Sequence, residues 1–362
     1  MSESTELANI PCDILSPKYP KWQGITIGNS IVCDGYYEGK TTAVFSHFHK
    51  DHTHNFARTL TRCHNVILSK ITYDALRMVD SIPERGTIKI LSEGESFRTE
   101  LGEKIELFDA NHVPGSRQVL VTMEDHGERI LYSGDFCYPD IIVPKADILI
   151  LESEHGEDVY DFSTDKSSVL RRICEHTISQ IEKGHSVEIK AHPGTMQNIM
   201  AELESETSDG MVIPEKVPFL ADEASVNLTK AVKDEYNQEI RKIEVASNGR
   251  LNELYSDGNP YVLFSRHGAN TSPQSERGTV IHVDANKGFK TRGPWFTNDE
   301  HVYFACLASH SSFTNVMEYV KAVGPRLVIV DGTRASPETA NSLKHKIQND
   351  LKIQAVVKDC QR

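Results

Sequence analysis

Residues 46–55 read SHFHKDHTHN, four histidines and one aspartate in a window of ten. A buried core cannot satisfy so many imidazoles without partners, and a solvated loop seldom needs them. The spacing H-x-H-x-D-H is made by His47, His49, Asp51 and His52. It offers the nitrogen and carboxylate ligands that a borderline-hard divalent ion takes, with no sulfur. In an extended or tightly turned segment, residues two apart project to the same side, so His47 and His49 can share one ion. Asp51 and the adjacent His52, as the chain turns, reach toward a second ion. His54 follows the cluster and reads as a solvated neighbour.

Further ligands should stand at the ends of nearby strands. His112 lies in DANHVPGS, where Pro114 and Gly115 mark a turn. Asp135 lies in YSGDF after the second strand of an apparent hairpin, RQVLVTMEDHGERILYSGDF, and Gly134 before it permits a close backbone approach. A carboxylate at that place could bridge both ions. Asp34, in IVCDGYY, is placed to fix an imidazole by a hydrogen bond. TTAVFSH reads as the strand leading into the histidines, and ADILILES as a buried strand ending on acids.

After about residue 159 the texture changes. DKSSVLRRICEHTISQIEKG carries Val169, Ile173, Thr177 and Ile181 at four-residue spacing, an amphipathic helix ended by Gly184. Strand SVEIKAH, turn PGT, helix MQNIMAELESE and a second strand–helix series follow, to PYVLFSRHG. This predicts three segments: residues 1–159 as the first part of a core, 160–295 as an inserted α/β unit, and 296–362 as the rest of the core. In the last, HVYFACLASH, SSFTNVMEYVKAVG and PRLVIVDG suggest a βαβ unit, and SPETANSLKHKIQND a helix entered through Ser336 and Pro337.

The chain has 362 residues, of which 38% are hydrophobic and 25% charged, enough for a substantial core and too ordered in texture for wholesale disorder. No apolar run approaches the ~18 residues of a membrane span, so no membrane role is expected. The start, MSESTELANIP, lacks a basic and an apolar region of the secretory kind. Seven scattered cysteines without a C-x-x-C pair suggest neither a disulfide framework nor a zinc ribbon. A cytoplasmic place is expected, or a nuclear one if the source is eukaryotic. A formal charge of −13 weighs against a nucleic-acid partner, although bound divalent ions and a local basic groove can coexist with an acidic exterior.

Taken together, CDG, SHFHKDH, NHVPGS and YSGDF resemble the four ordered motifs of the metallo-β-lactamase fold. LILESEHG resembles the acidic motif of its nucleic-acid-processing β-CASP branch, and ASHSSF that branch's histidine motif. The H-S-S-F wording is closest to the Artemis and DNA cross-link repair nucleases. The resemblance spans roughly residues 25 to 335 and implies an α/β chain, an αββα sandwich with an inserted β-CASP-like cap. It implies one ion held by His47, His49, His112 and Asp135, and a second held by Asp51, His52 and the shared Asp135. Zinc is expected, one or two ions, with manganese or magnesium as alternatives at the second position. The catalytic set implied is Asp51, Asp135, Glu152 and His310, with Glu152 orienting His310. His310 would then protonate the leaving oxygen or steady the scissile phosphate. Many β-CASP enzymes carry a further histidine where this chain has Asp331 in VIVDGT. Asp331 is either a ligand of the second ion or a cap for the turn that follows.

Metal-activated water can attack phosphorus without a serine or cysteine nucleophile, and no G-x-S-x-G elbow competes. The metal loop alone does not choose among thioesters, lactams, lactones and phosphodiesters. The insertion of more than a hundred residues between Glu152 and His310 favours a strand-sized substrate. Weaker contact candidates are Gly194 and Thr195, which form a phosphate-meeting helix start or an ordinary βα turn, and Arg266, on a loop that meets a phosphate or only solvent. Ser311 and Ser312 bind a terminal 5′-phosphate or cap a helix. LTKAVKDEYNQEIRK interleaves its cations with acids and reads as a solvated face. Trp295 reads as packing rather than as a base platform. The reading is a DNA exonuclease or end-processing nuclease acting on single strands. RNA hydrolysis, small-molecule hydrolysis and a non-catalytic scaffold are its rivals.

Overall fold

A computed structural model describes residues 11–15, 24–79, 87–161, 166–204, 212–233, 240–269, 278–285 and 289–358. The polar start of the chain, Cys360 and part of the LTKAVKDEYNQEIRK stretch lie outside them. The chain is α/β and divides into two units, Met1–Asp158 with His310–Arg362, and Val159–Ser309.

Two mixed sheets form the first unit. Strands Cys12–Leu15, Gly24–Ile27, Ile31–Cys33, Thr42–Val44, Asn65–Leu68 and Ile88–Ile90 lie side by side in chain order. The other sheet runs Gln354–Lys358, Leu327–Asp331, Ile148–Leu151, Arg129–Tyr132, Arg117–Met123, Glu103–Asp109 and Ser96–Arg98. Alternation explains how they meet. Ile25, Ile27 and Val44 from one sheet share a core with Ile105, Val119, Val121, Ile130, Ile148 and Ile329 from the other. Their neighbours in sequence point the opposite way. Leu120, Leu131, Leu149, Val328 and Val330 pack with Val316, Val320, Ala340 and Leu343 of helices Phe313–Val323 and Pro337–Lys346. Val32, Ala43, Val66 and Leu68 pack with Phe56, Leu60 and Leu76 of helices Phe56–Arg62 and Lys70–Val79. Burial on both faces is why ILIL (148–151) and LVIV (327–330) are unbroken apolar runs instead of alternating ones.

The hairpin read from residues 117–132 forms, with Val121 opposite Ile130 and Val119 opposite Tyr132. The βαβ unit expected after residue 300 does not. Val302–Cys306 pairs with Thr279–Asp284 and Trp295–Asp299 in the sheet of the second unit. Leu327–Asp331 pairs instead with Ile148–Leu151 and Gln354–Lys358. A local strand–helix–strand pattern states that strands exist, whereas pairing depends on which sheet offers an edge of matching register.

The second unit is a seven-stranded sheet ordered Ile243–Val245, Phe219–Ala221, Val262–Ser265, Val187–Lys190, Thr279–Asp284, Val302–Cys306 and Trp295–Asp299, parallel except for the last pair. Helix Lys166–Glu182 buries Val169, Ile173, Thr177 and Ile181, the four positions that the spacing marked. Val169, Ile173 and Ile181 join Ile189, Phe264 and Ile281 in one core, while the Thr177 hydroxyl donates to the Ile173 carbonyl at 2.7 Å. Trp295 packs at its margin, beside Tyr303 and His176, with the Arg172 guanidinium 5.3 Å from its ring centroid. Among the described residues no helix is long and apolar enough to cross a membrane, and the described cysteines are free thiols.

Candidate metal centre

Each candidate ligand stands where a strand gives way to a turn. His47 follows strand Thr42–Val44, and His49 is still extended (φ −61°, ψ 147°) before the single turn Lys50–Thr53 that carries Asp51 and His52. Arg117 donates its backbone N–H to the Ser46 carbonyl at 2.8 Å, tying this loop to the hairpin. Gly134 makes that approach feasible: it has φ +55°, and a Cβ there would lie 3.1 Å from the Cβ of Ser46. Gly115 is as constrained, with φ +81° and a would-be Cβ 2.6 Å from that of Ile71. Its turn closes as Ser116 Oγ accepts the His112 N–H at 3.1 Å.

Four of the candidates converge. One ligand atom each from His47, His49, His112 and Asp135 lies within 4.8 Å of the other three, and His47, His112 and Asp135 are buried. Nε2 of His112 is 3.2 Å from Nδ1 of His49. Asp135 Oδ2 is 3.8 Å from Nε2 of His47 and 3.7 Å from Nε2 of His112. A tetrahedral ion with ligand bonds of about 2.1 Å requires edges of about 3.4 Å, so these separations suit one ion. Among the described residues the buried Nε2 of His47 has no hydrogen-bond partner, as a lone pair that could take a metal would. Burial first, then the charges of His52, His49 and His112, holds the His47 pKa well below its ordinary value, so the ring stays neutral.

Asp34 organises the layer behind. It sits in the left-handed region (φ 47°) and is buried. Its carboxylate accepts from Ser46 N–H at 2.7 Å, Ser46 Oγ at 2.6 Å and Tyr132 OH at 2.8 Å. His52 Nδ1 stands 2.7 Å from the same carboxylate. That contact turns His52 Nε2 toward Asp135 and Asp51, 3.2 and 3.4 Å from their Oδ2 atoms. Burial opposes ionisation of Asp135, yet the nearby His52 keeps its carboxyl well below the usual range. Asp51 and His52 belong to neither of the two groups of three or more ligand atoms that gather among the described residues. The second of those groups is Asp135, Glu152 and His310.

Glu152 ends strand Ile148–Leu151, and His310 precedes helix Phe313–Val323. His310 Nδ1 lies 3.0 Å from Glu152 Oε1, and its ring centroid is 4.5 Å from that of His112. Burial works against a charged imidazole, but Glu152, with help from Asp135 and Glu154, pushes the His310 pKa up to about 10. Asp331 Oδ1 accepts from the N–H and Oγ1 of Thr333 at 2.9 and 2.6 Å, and its Oδ2 is 3.6 Å from Arg334 Nε. Ser312 accepts the Asn315 N–H at 3.3 Å as the helix N-cap. Ser311 Oγ donates to the Phe136 carbonyl at 3.2 Å and accepts from Tyr138 N–H at 2.9 Å. Gly194 (φ 93°) caps helix Thr195–Glu202 and donates its N–H to Gln197 Oε1 at 2.8 Å, while Arg266 Nε lies 3.5 Å from Asp222.

Four residues near the centre escaped sequence reasoning. Ser46 stands inside the histidine motif itself. Tyr132 opens YSGDF and His155 lies within LILESEHG, and His155 donates from Nδ1 to the Ser311 carbonyl oxygen at 2.9 Å. Arg334 carries no local signal. It lies 283 positions from Asp51, whose carbonyl accepts from Nη1 at 3.2 Å.

No family model matches the chain. DNA cross-link repair 1A protein of Gallus gallus is 28% identical over 164 residues, 42% of this chain and 16% of that protein. The Mus musculus protein of the same name is 32% identical over 102 residues, 28% of this chain and 10% of that one. An uncharacterized protein in a lig 3′ region of Acidianus ambivalens is 42% identical over 60 residues, 16% of this chain and 42% of its own length. The likeness to DNA cross-link repair proteins expected from the motif wording is thus present, and it spans a small part of those relatives. A crystal structure of a protein of unknown function from Enterococcus faecalis V583 superposes with a TM-score of 0.58 over 95% of this chain and 96% of its own, at 10% identity, a likeness of fold alone.

Proposed function

We infer that this chain is a metal-dependent nuclease with a metallo-β-lactamase-like core and a β-CASP-like insertion, hydrolysing phosphodiester bonds in DNA, on single strands or at ends. The observation that carries the reading is the buried meeting of His47, His49, His112 and Asp135, with Asp135 shared by the group that contains Glu152 and His310. Relatives named for DNA cross-link repair support the substrate class.

The donor set of three imidazoles and one carboxylate favours zinc. When bound, such an ion supplies Lewis acidity and an activated water near neutral pH. The chain's own residues supply the rest. Asp135, ionised by its surroundings, contributes the anionic ligand. Ser46, Asp34 and Tyr132 form the hydrogen-bonded layer that fixes His52, an arrangement whose loss commonly weakens metal sites. His310, kept protonated by Glu152, provides the acid that an alkoxide leaving group requires, or a cation for the scissile phosphate. Ser312 is occupied as a helix cap and Ser311 by Phe136 and Tyr138, so a 5′-phosphate would have to share these hydroxyls.

The test uses 5′-labelled single-stranded DNA and RNA of one sequence, each with and without a 5′-phosphate. DNA cleavage that exceeds RNA cleavage is expected. RNA cleavage with little DNA cleavage would move the chain to RNA processing, and cleavage of neither would refute the nuclease reading.

A further inference from the structure

The resemblance implies a second ion held by Asp51, His52 and Asp135, and one feature of the fold argues against that position. Arg334 enters from the turn after strand Leu327–Asp331 and is largely buried, its side chain 17% exposed. Nη1 lies 3.4 Å from Asp51 Oδ2, which is the oxygen facing His52 Nε2 at 3.4 Å, and 3.2 Å from the Asp51 carbonyl. Nε faces Asp331 Oδ2 at 3.6 Å. The other oxygen of Asp331 accepts two bonds from Thr333. The carboxylates that could complete a second ion site, Asp51 and Asp331, are therefore both turned to one guanidinium.

Resting on the nuclease reading, we propose that Arg334 is the built-in cation of the second position, so that the centre takes a single metal ion and Arg334 positions Asp51 in place of another. The physical case is exclusion as well as attraction. A divalent ion needs the same oxygens at about 2.0–2.2 Å, and a fixed, always-charged guanidinium beside them repels it. Arginine suits this role because Nη1 alone addresses both the Asp51 carbonyl and carboxylate while Nε, held in the same rigid plane, faces Asp331. Asp331 thereby acts through Arg334 and Thr333 rather than as a ligand.

The experiment counts ions bound per chain by native mass spectrometry of the full chain, stripped by chelation and titrated with zinc or manganese. The wild type and Arg334→Lys are expected to saturate at one ion, and Arg334→Gln, which removes the charge but keeps an amide donor, at two. A second ion in the wild type with affinity within tenfold of the first would overturn the proposal. So would an Arg334→Gln protein that stops at one. If Arg334→Gln fails to fold, the wild-type count decides, two ions refuting single occupancy and one upholding it. A wild type that binds no ion and cuts no DNA would instead refute the nuclease reading. One ion with DNA cleavage, and no gain in Arg334→Gln, would overturn the role of Arg334 alone.

Discussion

The His310 imidazole lies 3.0 and 3.1 Å from the two oxygens of Glu152, and this pair sets how the centre should respond to pH. The folded pKa of about 10 exceeds the ordinary value of 6.5, so the pair's contribution to stability is complete below about 6.5. It is lost as the pH rises through about 10. If His310 serves as the acid, Glu152→Gln removes its main electrostatic support. The alkaline limb of the pH–rate profile should then shift to lower pH, with a loss of about 10²-fold or more in rate on that limb. An unmoved limb would show that the proton comes from elsewhere. His310→Ala should leave the metal content equal to that of the wild type, which elemental analysis of the purified variant checks, because the four converging ligand atoms do not include it.

Elements make separate demands. Helix Phe313–Val323 begins at Ser312, whose hydroxyl accepts from Asn315, so Ser312→Ala should cost about 1 kcal/mol in denaturant unfolding. If 5′-phosphorylated ends are cut in preference to others, that preference should be unchanged. A lost preference with intact stability would assign that serine to substrate. In helix Lys166–Glu182, the His176 ring lies tilted against that of Tyr303 with centroids 4.1 Å apart, and its buried Nε2 has no hydrogen-bond partner among the described residues. Burial, then Lys183 and Arg172, lowers its pKa to about 4. The unfolded chain takes that proton first, so stability is whole above about pH 6.5 and falls as the pH drops toward 4. His176→Phe should flatten this acid slope in thermal melts between pH 7 and 4.5, and an unchanged slope would contradict the assignment.

For the molecule as a whole, what could be read in advance follows from distance along the chain. His47, His49, Asp51 and His52 announce themselves because they crowd into six residues, and of these the fold gathers His47 and His49 with His112 and Asp135. The amphipathic face at Val169, Ile173, Thr177 and Ile181 is legible for the same local reason. Pairing is not local: Val302–Cys306 joins Thr279–Asp284, a choice that no window around residue 304 encodes. Nor is Arg334, which reaches Asp51 only once the last strands of the second sheet are in place. The formal charge of −13 likewise says little about a centre where carboxylates gather around cations. The measurement that bears most directly on the account is cleavage of labelled single-stranded DNA by the wild type, before and after chelation and zinc return, beside Asp135→Asn. The account predicts activity that vanishes on chelation, returns with the metal, and is absent from Asp135→Asn together with its bound ion. Cleavage that survives chelation, or an Asp135→Asn protein as active as the wild type, would contradict it.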